Sequence, residues 1–287
     1  MFKKMSVSER VEIAKEKTKR IVHHLHYLLE LHENNAIVLY SRTLSRQIPT
    51  SFAANAFNVF QQGMHQFEIV RLCALWDRAE PEKENIRTII KLINHPDVIE
   101  ALAQETASYH QGIGGEVLNP SPNPELRALE AQAFQRANQQ FGQEQAQKAR
   151  RELRKAIDDS RAIIASTRLA SIMNLRHKHL AHSLSETWSE KERKENKVEP
   201  LPPMKYGDER AVLDATIPIV EALYCWVNGS SLSFENSREI DRKNAKALWE
   251  ACTFTITQQD FPVRFAGRPN RRRDTNATCG RIPQSKQ

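Results

Sequence analysis

Residues 6–30 read SVSERVEIAKEKTKRIVHHLHYLLE, and this stretch sets the fold class. Ser6 and Glu9 stand three apart, the spacing at which a hydroxyl and a carboxylate satisfy each other's open amides at a helix start. Behind them Val11, Ala14, Ile21, Leu25, Leu28 and Leu29 share one helical face, and lysines and glutamates fill the other. Nothing here alternates with the period of two that a half-buried strand needs.

The same reading extends along the chain. Ser51 stands ahead of Phe57, Phe60, Met64 and Phe67, which step by threes and fours. Ile86, Ile89, Ile90 and Ile93 mark a short third helix, and Asp97 is placed to cap a fourth over 98–110. Asn123-Pro124 joins a capping side chain to a proline whose missing N–H has no partner to lose at a first helical position. It opens helices from 124 to about 184. Asp208 begins another, kinked at Pro218 and stopped at Asn228-Gly229. With nine glycines, and thirteen prolines gathered at boundaries, long segments are free of breakers. No run of alternating β-branched residues exceeds a few positions. The fold class is all-α, a multi-helix bundle.

Residues 1–253 read as the helical domain, with a charged, proline-rich exposed loop at 185–206. Residues 132–147 carry seven glutamines, which suit a solvated helix or a mobile connection. From 254 to 287 no apolar period remains, and the segment reads as a flexible basic tail. Residues 264–287 hold a net +6 of the total +7, so residues 1–263 carry +1. The pI of 9.3 describes the tail. Segment 211–227 is the most apolar but is broken by Asp214, Pro218 and Glu221, so no membrane span is expected. Four scattered cysteines without a CxxC pair argue against a zinc ribbon or disulfide framework and fit a cytoplasmic protein. Gly112-Ile113-Gly114-Gly115 has no following Lys-Ser/Thr and reads as a turn rather than a phosphate loop.

The densest polar cluster is Arg176-His177-Lys178-His179-Leu180-Ala181-His182, near the end of a long helix. Four readings stand side by side. Cations can simply complement a solvated helix C-terminus. His177, His179 and His182 could hold a metal, although neighbours on a helix diverge by about 100° and no HExxH pattern is present. The cluster could bind an acidic partner. It could also cleave RNA by transphosphorylation, where a base takes the ribose 2′-OH proton, an acid protonates the departing 5′-oxygen, and a permanent cation holds the phosphorane. Histidine serves as acid or base near neutrality, and arginine grips two phosphate oxygens. On an ideal helix Arg176 and His182 lie roughly 9 Å apart along the axis and about 240° around it. A shared target therefore requires a bend at the motif or a second copy across a two-fold axis, which predicts a homodimer with a central site.

Arg176-His177-x4-His182 resembles the R-[N/H/D]-x4-H signature of the HEPN superfamily (higher eukaryotes and prokaryotes nucleotide-binding). Ile69-Val70-Arg71-Leu72, Leu75-Trp76-Asp77-Arg78 and the run from Ile86 to Ile93 resemble the early helices of its AbiU-like branch. The resemblance covers residues 20–230. It implies a dimerising helical bundle and, for active members, a metal-independent ribonuclease without cofactor, found in toxin–antitoxin or phage-abortive-infection systems with an antitoxin or regulatory partner. Arg176 and His182 then carry over as the catalytic pair, His177 as the polar residue orienting the site, and Asp77 as an orienting carboxylate. Histidine in place of the commoner asparagine after Arg176 departs from the pattern. Some HEPN proteins have lost activity and bind RNA or protein instead, the alternative reading here.

Other residues read more plainly. His23, His24 and His26 sit at the edge of the core. Arg71, Arg78, Arg161 and Arg168 could line an RNA path, although single arginines on amphipathic helices are usually solvated or paired. Trp76, Trp226 and Trp249 read as packing residues, and Cys73 and Cys225 as inert. Arg271, Arg272 and Arg273 would attract phosphate without reading sequence.

Overall fold

Ser6 does open a helix. In the computed structural model, which describes residues 2–112 and 120–256, the Ser6 hydroxyl accepts from the Glu9 amide at 3.2 Å. The Glu9 carboxylate accepts from the Ser6 amide at 2.8 Å. Helix α1 (Val7–Tyr40) runs on from that cap as the spine of the bundle and buries Ile21, Leu25, Leu28 and Leu29. A short α2 (Arg42–Gln47) turns the chain into α3 (Phe52–Leu75), capped by Ser51 as its spacing predicted. The short helix α4 (Ile86–Ile93) is capped by Asn85 and buries all four of its isoleucines. Among the described residues there are helices and no strands.

Helices α5 (Pro96–Gly112) and α6 (Pro124–Ala165) form an antiparallel pair. Their seam is made of small residues: Ala103 and Ala107 on one side, Gly142, Ala146 and Ala149 on the other. A Cβ at Gly142 would come within 2.7 Å of the Gln111 side chain and 2.8 Å of the Ala107 carbonyl, so the close approach requires glycine. Helix α5 corrects one expectation. Asp97 does not cap it; the helix starts at Pro96, and His95 caps it, its Nδ1 lying 3.3 Å from the Asp97 amide and its carbonyl accepting from Val98 and Ile99. Asp97 lies in the first turn, where its charge still complements the helix dipole. The glutamine-rich stretch 132–147 lies wholly within α6.

The segment from 124 to about 184 divides at Ser166, whose hydroxyl caps α7 (Thr167–Leu175). Within 185–206, expected as a loop, Trp188–Glu195 forms helix α8. The physical reason is a second capping box, Thr187 with Glu190, in a stretch otherwise too polar to show an apolar period. Helix α9 (Asp208–Asn228) continues through Pro218 and ends at Gly229, whose φ of 70° only glycine adopts freely. It is the one described helix long and apolar enough to cross a membrane, and it packs Val212, Leu213, Ile219, Val220 and Leu223 into the bundle core. There the Trp76 indole N–H donates to Thr216 Oγ1 at 3.0 Å.

Helix α10 (Glu235–Ala251) had no counterpart in the sequence pattern. It is fastened to α1 by charge, with Arg238 and Arg242 both on the buried Glu33 at 2.7 and 3.0 Å. Phe254 still packs on Phe57, ring centroids 6.0 Å apart. Residues 113–119, with Ile113, Gly114 and Gly115, and the tail beyond 256 lie outside the described residues.

Candidate active site

Helix α7 buries Leu169 and Ile172 and so fixes where its last turn points. At Arg176 the helix widens. The Ala181 amide donates to the Arg176 carbonyl at 2.8 Å, a bond across five residues, and the Leu184 amide donates to the Lys178 carbonyl at 3.0 Å. Residues Arg176–Leu180 therefore form one π-helical turn, a rare geometry that recurs at functional sites. A bend at the motif is one of the two arrangements expected from the sequence, and the helix departs from regular α geometry at this turn. Leu180 tucks partly into the core, and the chain then leaves the helix with His182 exposed.

The widened turn lies against the end of α3 and the turn that follows it. Arg176 is largely buried, its side chain 16% exposed, and its Nη2 stands 4.0 Å from Asp77 Oδ1. That separation is too long for a hydrogen bond, and Arg176 Nε is buried without a partner among the described residues. The guanidinium is thus held by charge, with its Nε unsatisfied among the described residues. Asp77 is better tied: Oδ1 accepts from the Arg78 amide at 2.9 Å, and Oδ2 meets Lys83 Nζ at 3.3 Å. Burial alone would raise its proton affinity. The Arg78 amide, Lys83 and Arg176 outweigh that and hold the carboxyl below its usual range.

His177 is half-buried, and its proton affinity is lowered, first by burial and then by Arg176. Asp77 pulls it back up in part, whereas His182 and Arg78 push it further down. Five sequence-flagged groups, Arg176, His177, His182, Asp77 and Arg78, are thus close enough to feel one another. Arg176 stands beside Asp77, and His177 lies within electrostatic reach of both. His182 neighbours His177 but shares no hydrogen bond with the other three. Cys73 lies under the site, its thiol pushed up to about 12 by burial, so it stays protonated.

A clamp behind the motif holds the widened turn in place. Thr187 Oγ1 and Asn174 Oδ1 are 2.5 Å apart, and Glu190 accepts from Asn174 at 3.0 Å and from Lys178 at 2.9 Å. Burial works against the Glu190 carboxylate. These donors outweigh it and bring its pKa to about 2. Lys178 is therefore engaged structurally, and His179 is exposed on the outer side. The sequence reading missed this clamp, although the Thr187-x-x-Glu190 spacing signals it.

The other arginines separate clearly. Arg161 pairs with Asp158 and Arg168 with Asp208, and Arg71 lies over the rings of Tyr27 and Phe67 at 5.1 and 6.0 Å. The side chain of Arg78 is exposed and has no ion pair among the described residues. Arg87, which the sequence did not flag, lies close enough to Arg78 for the two charges to oppose each other. Among the described residues, no three His, Cys, Asp or Glu side chains are grouped so as to hold a metal ion.

The arrangement presents a partly unsatisfied guanidinium, an imidazole biased toward its neutral form and a second, exposed imidazole. It can bind a phosphate oxygen and move a proton. No curated protein and no solved structure matches the chain. The HEPN family model described as AbiU2 matches residues 12–248, from the first helix through the last, and the chain therefore belongs to the AbiU2 family of HEPN proteins.

Proposed function

We propose that this AbiU2-family protein is a metal-independent endoribonuclease that cuts single-stranded RNA as a homodimer, in phage defence or a toxin–antitoxin system. The observation that carries the reading is the π-helical turn at Arg176–Leu180, which breaks the helix between the two motif residues that a straight helix would aim apart. In this scheme an imidazole takes the proton of a ribose 2′-OH. The 2′-oxygen then attacks phosphorus, the bond to the 5′-oxygen breaks, and a second imidazole supplies the proton to that leaving oxygen. The products are a 2′,3′-cyclic phosphate and a 5′-OH. Arg176 spans the equatorial oxygens of the phosphorane. His182 supplies one proton carrier, His177 and Asp77 orient the site, and His182 of a second copy supplies the other carrier.

A second copy also suits the outward face of α3. From Phe52 to Phe67 this helix carries no charged residue, in a chain that is 27% charged. Ala56, Val59, Gly63, Gln66 and Val70 are all exposed and recur at alternating steps of three and four, the spacing of a helix–helix seam. They lie opposite the side that buries Ile69 and Leu72. Charge depletion with exposed apolar side chains is what an interface core looks like before it is covered.

The test is cleavage of a labelled single-stranded RNA in EDTA, with product ends identified by mass. Wild type should leave 2′,3′-cyclic phosphate, and DNA of the same sequence should survive because it lacks the attacking hydroxyl. His182→Ala should slow cleavage by about two to four powers of ten. Arg176→Lys should rescue Arg176→Ala poorly, since a point charge cannot reproduce a planar fork. Folded dimer that binds RNA and never cuts it would instead identify a binding module.

A further inference from the structure

The turn between α3 and α4, residues 76–85, is built more rigidly than its exposure demands. Asn85, 1% exposed, caps α4 through its Oδ1 and donates from Nδ2 to the Arg78 carbonyl at 3.1 Å. Thr88, fully buried, accepts from the Glu80 amide at 3.2 Å and donates to the Glu80 carbonyl at 3.0 Å. Lys17 reaches across from α1 to the Lys83 carbonyl at 3.1 Å. Buried polar groups are thus committed to fixing a surface turn from which Arg78 projects.

Neither Arg78 in that turn nor Arg87 just after it has an ion pair among the described residues. Glu80 is taken by Lys83 at 2.8 Å and Glu84 by Arg20; Glu82 is exposed and holds no cation among the described residues. Asp77, whose carboxylate is already shared between the Arg78 amide and Lys83, faces Arg176. Arg87, on the first turn of α4 two residues after Asn85, is half-buried, and its side chain has no hydrogen bond or ion pair among the described residues. Burial and the nearby Arg78 both weaken its hold on its proton, and Asp77 restores part of it. Arg78 and Arg87 thus form no ion pair among the described residues, beside an Arg176 that stands 4.0 Å from its one carboxylate, which leaves guanidinium donors open to an incoming anion.

We propose that Arg78 and Arg87 form a binding site for a backbone phosphate of the RNA, adjacent to the one held by Arg176. The proposal rests on the ribonuclease reading for the identity of the polymer, and it makes these two arginines positioning residues that do not touch the reacting atoms. A phosphodiester bound there sets which phosphate of the strand lies at Arg176. The phosphate carries one negative charge and needs no planar recognition at this distance from the chemistry, so lysine should substitute well, unlike at Arg176.

The experiment uses the full chain carrying His182→Ala and a fluorescein-labelled, 2′-O-methylated single-stranded 12-mer, which cannot be cut. Binding is followed by anisotropy from about 50 to 200 mM salt. Arg78→Ala and Arg87→Ala should each flatten the slope of log affinity against log salt by about 0.7, the value for one contact to a single strand. Arg87→Lys should restore the slope, whereas Arg161→Ala, a paired arginine elsewhere on the surface, should leave it unchanged. With His182 intact, the same two alanine variants should raise KM for RNA and leave kcat near wild type. An unchanged slope in the Arg78→Ala/Arg87→Ala double variant, with circular dichroism as wild type, overturns the site. Wild type that binds the 12-mer with the expected slopes but never cuts unmodified RNA overturns the ribonuclease reading alone. Failure of the wild-type chain to bind the 12-mer overturns both.

Discussion

Asp77 is the residue on which the local electrostatics turn. Among the described residues it is the group that favours the His177 imidazolium, opposing burial, Arg176, His182 and Arg78. Asp77→Asn keeps the shape and removes the charge, so the His177 pKa, already below its usual value, should fall further. A histidine NMR titration checks this, and an unchanged or rising His177 pKa would show that the carboxylate does not act on it. The same substitution removes the counter-charge facing Arg176 and should reduce turnover more than RNA affinity if orientation is its role. Part of this site was legible in the sequence. Arg176, His177 and His182 stand out as a local cluster and Asp77 enters through the family resemblance; Arg176 lies 4.0 Å from Asp77, and His177 feels both charges. Arg87 was not legible, because an arginine on a short amphipathic helix looks like any solvated cation until tertiary packing sets it beside Arg78.

At the scale of elements, helix starts were readable because a cap is a local event: Ser6 with Glu9, Ser51, and Asn123 ahead of Pro124 each declare themselves within four residues. Helices held by charge were not. Of the side chains on α10, only Asp241 and Ala245 are buried, and α10 is fastened by Arg238 and Arg242 to a glutamate some 200 positions upstream, a pairing with no periodic trace. The π-helical turn has no local signal, since nothing in Arg-His-Lys-His-Leu announces a bond across five residues. For α3, the outward face makes a separate prediction. Val59 is 69% exposed, so Val59→Glu should leave the monomer fold intact. If that face joins two copies, the buried like charges should shift the chain to monomer by light scattering at micromolar concentration. Cleavage should fall with it. A Val59→Glu protein that remains dimeric would place the interface elsewhere.

For the whole molecule, the division of charge between body and tail makes the salt response informative. Deleting residues 264–287 removes seven cations and one carboxylate. If the cations all touch a single strand, the log–log salt slope of RNA binding should fall by up to about five, while cleavage at saturating RNA persists. Loss of the chemical step as well would make the tail part of the site. Helix α6 sets how any of these assemblies moves through solvent. It is 42 residues long, about 63 Å at 1.5 Å per residue. A compact chain of 287 residues has a radius of gyration of roughly 19 Å, and so a diameter near 50 Å. The first part of α6, from Pro124 to Phe141, is exposed along nearly its whole surface. A rod that outruns its own body drags on the solvent, so a single copy will elute early from a sizing column and sediment slowly. An apparent mass read from elution volume will thus overstate the number of chains, and only a shape-independent weighing can count them.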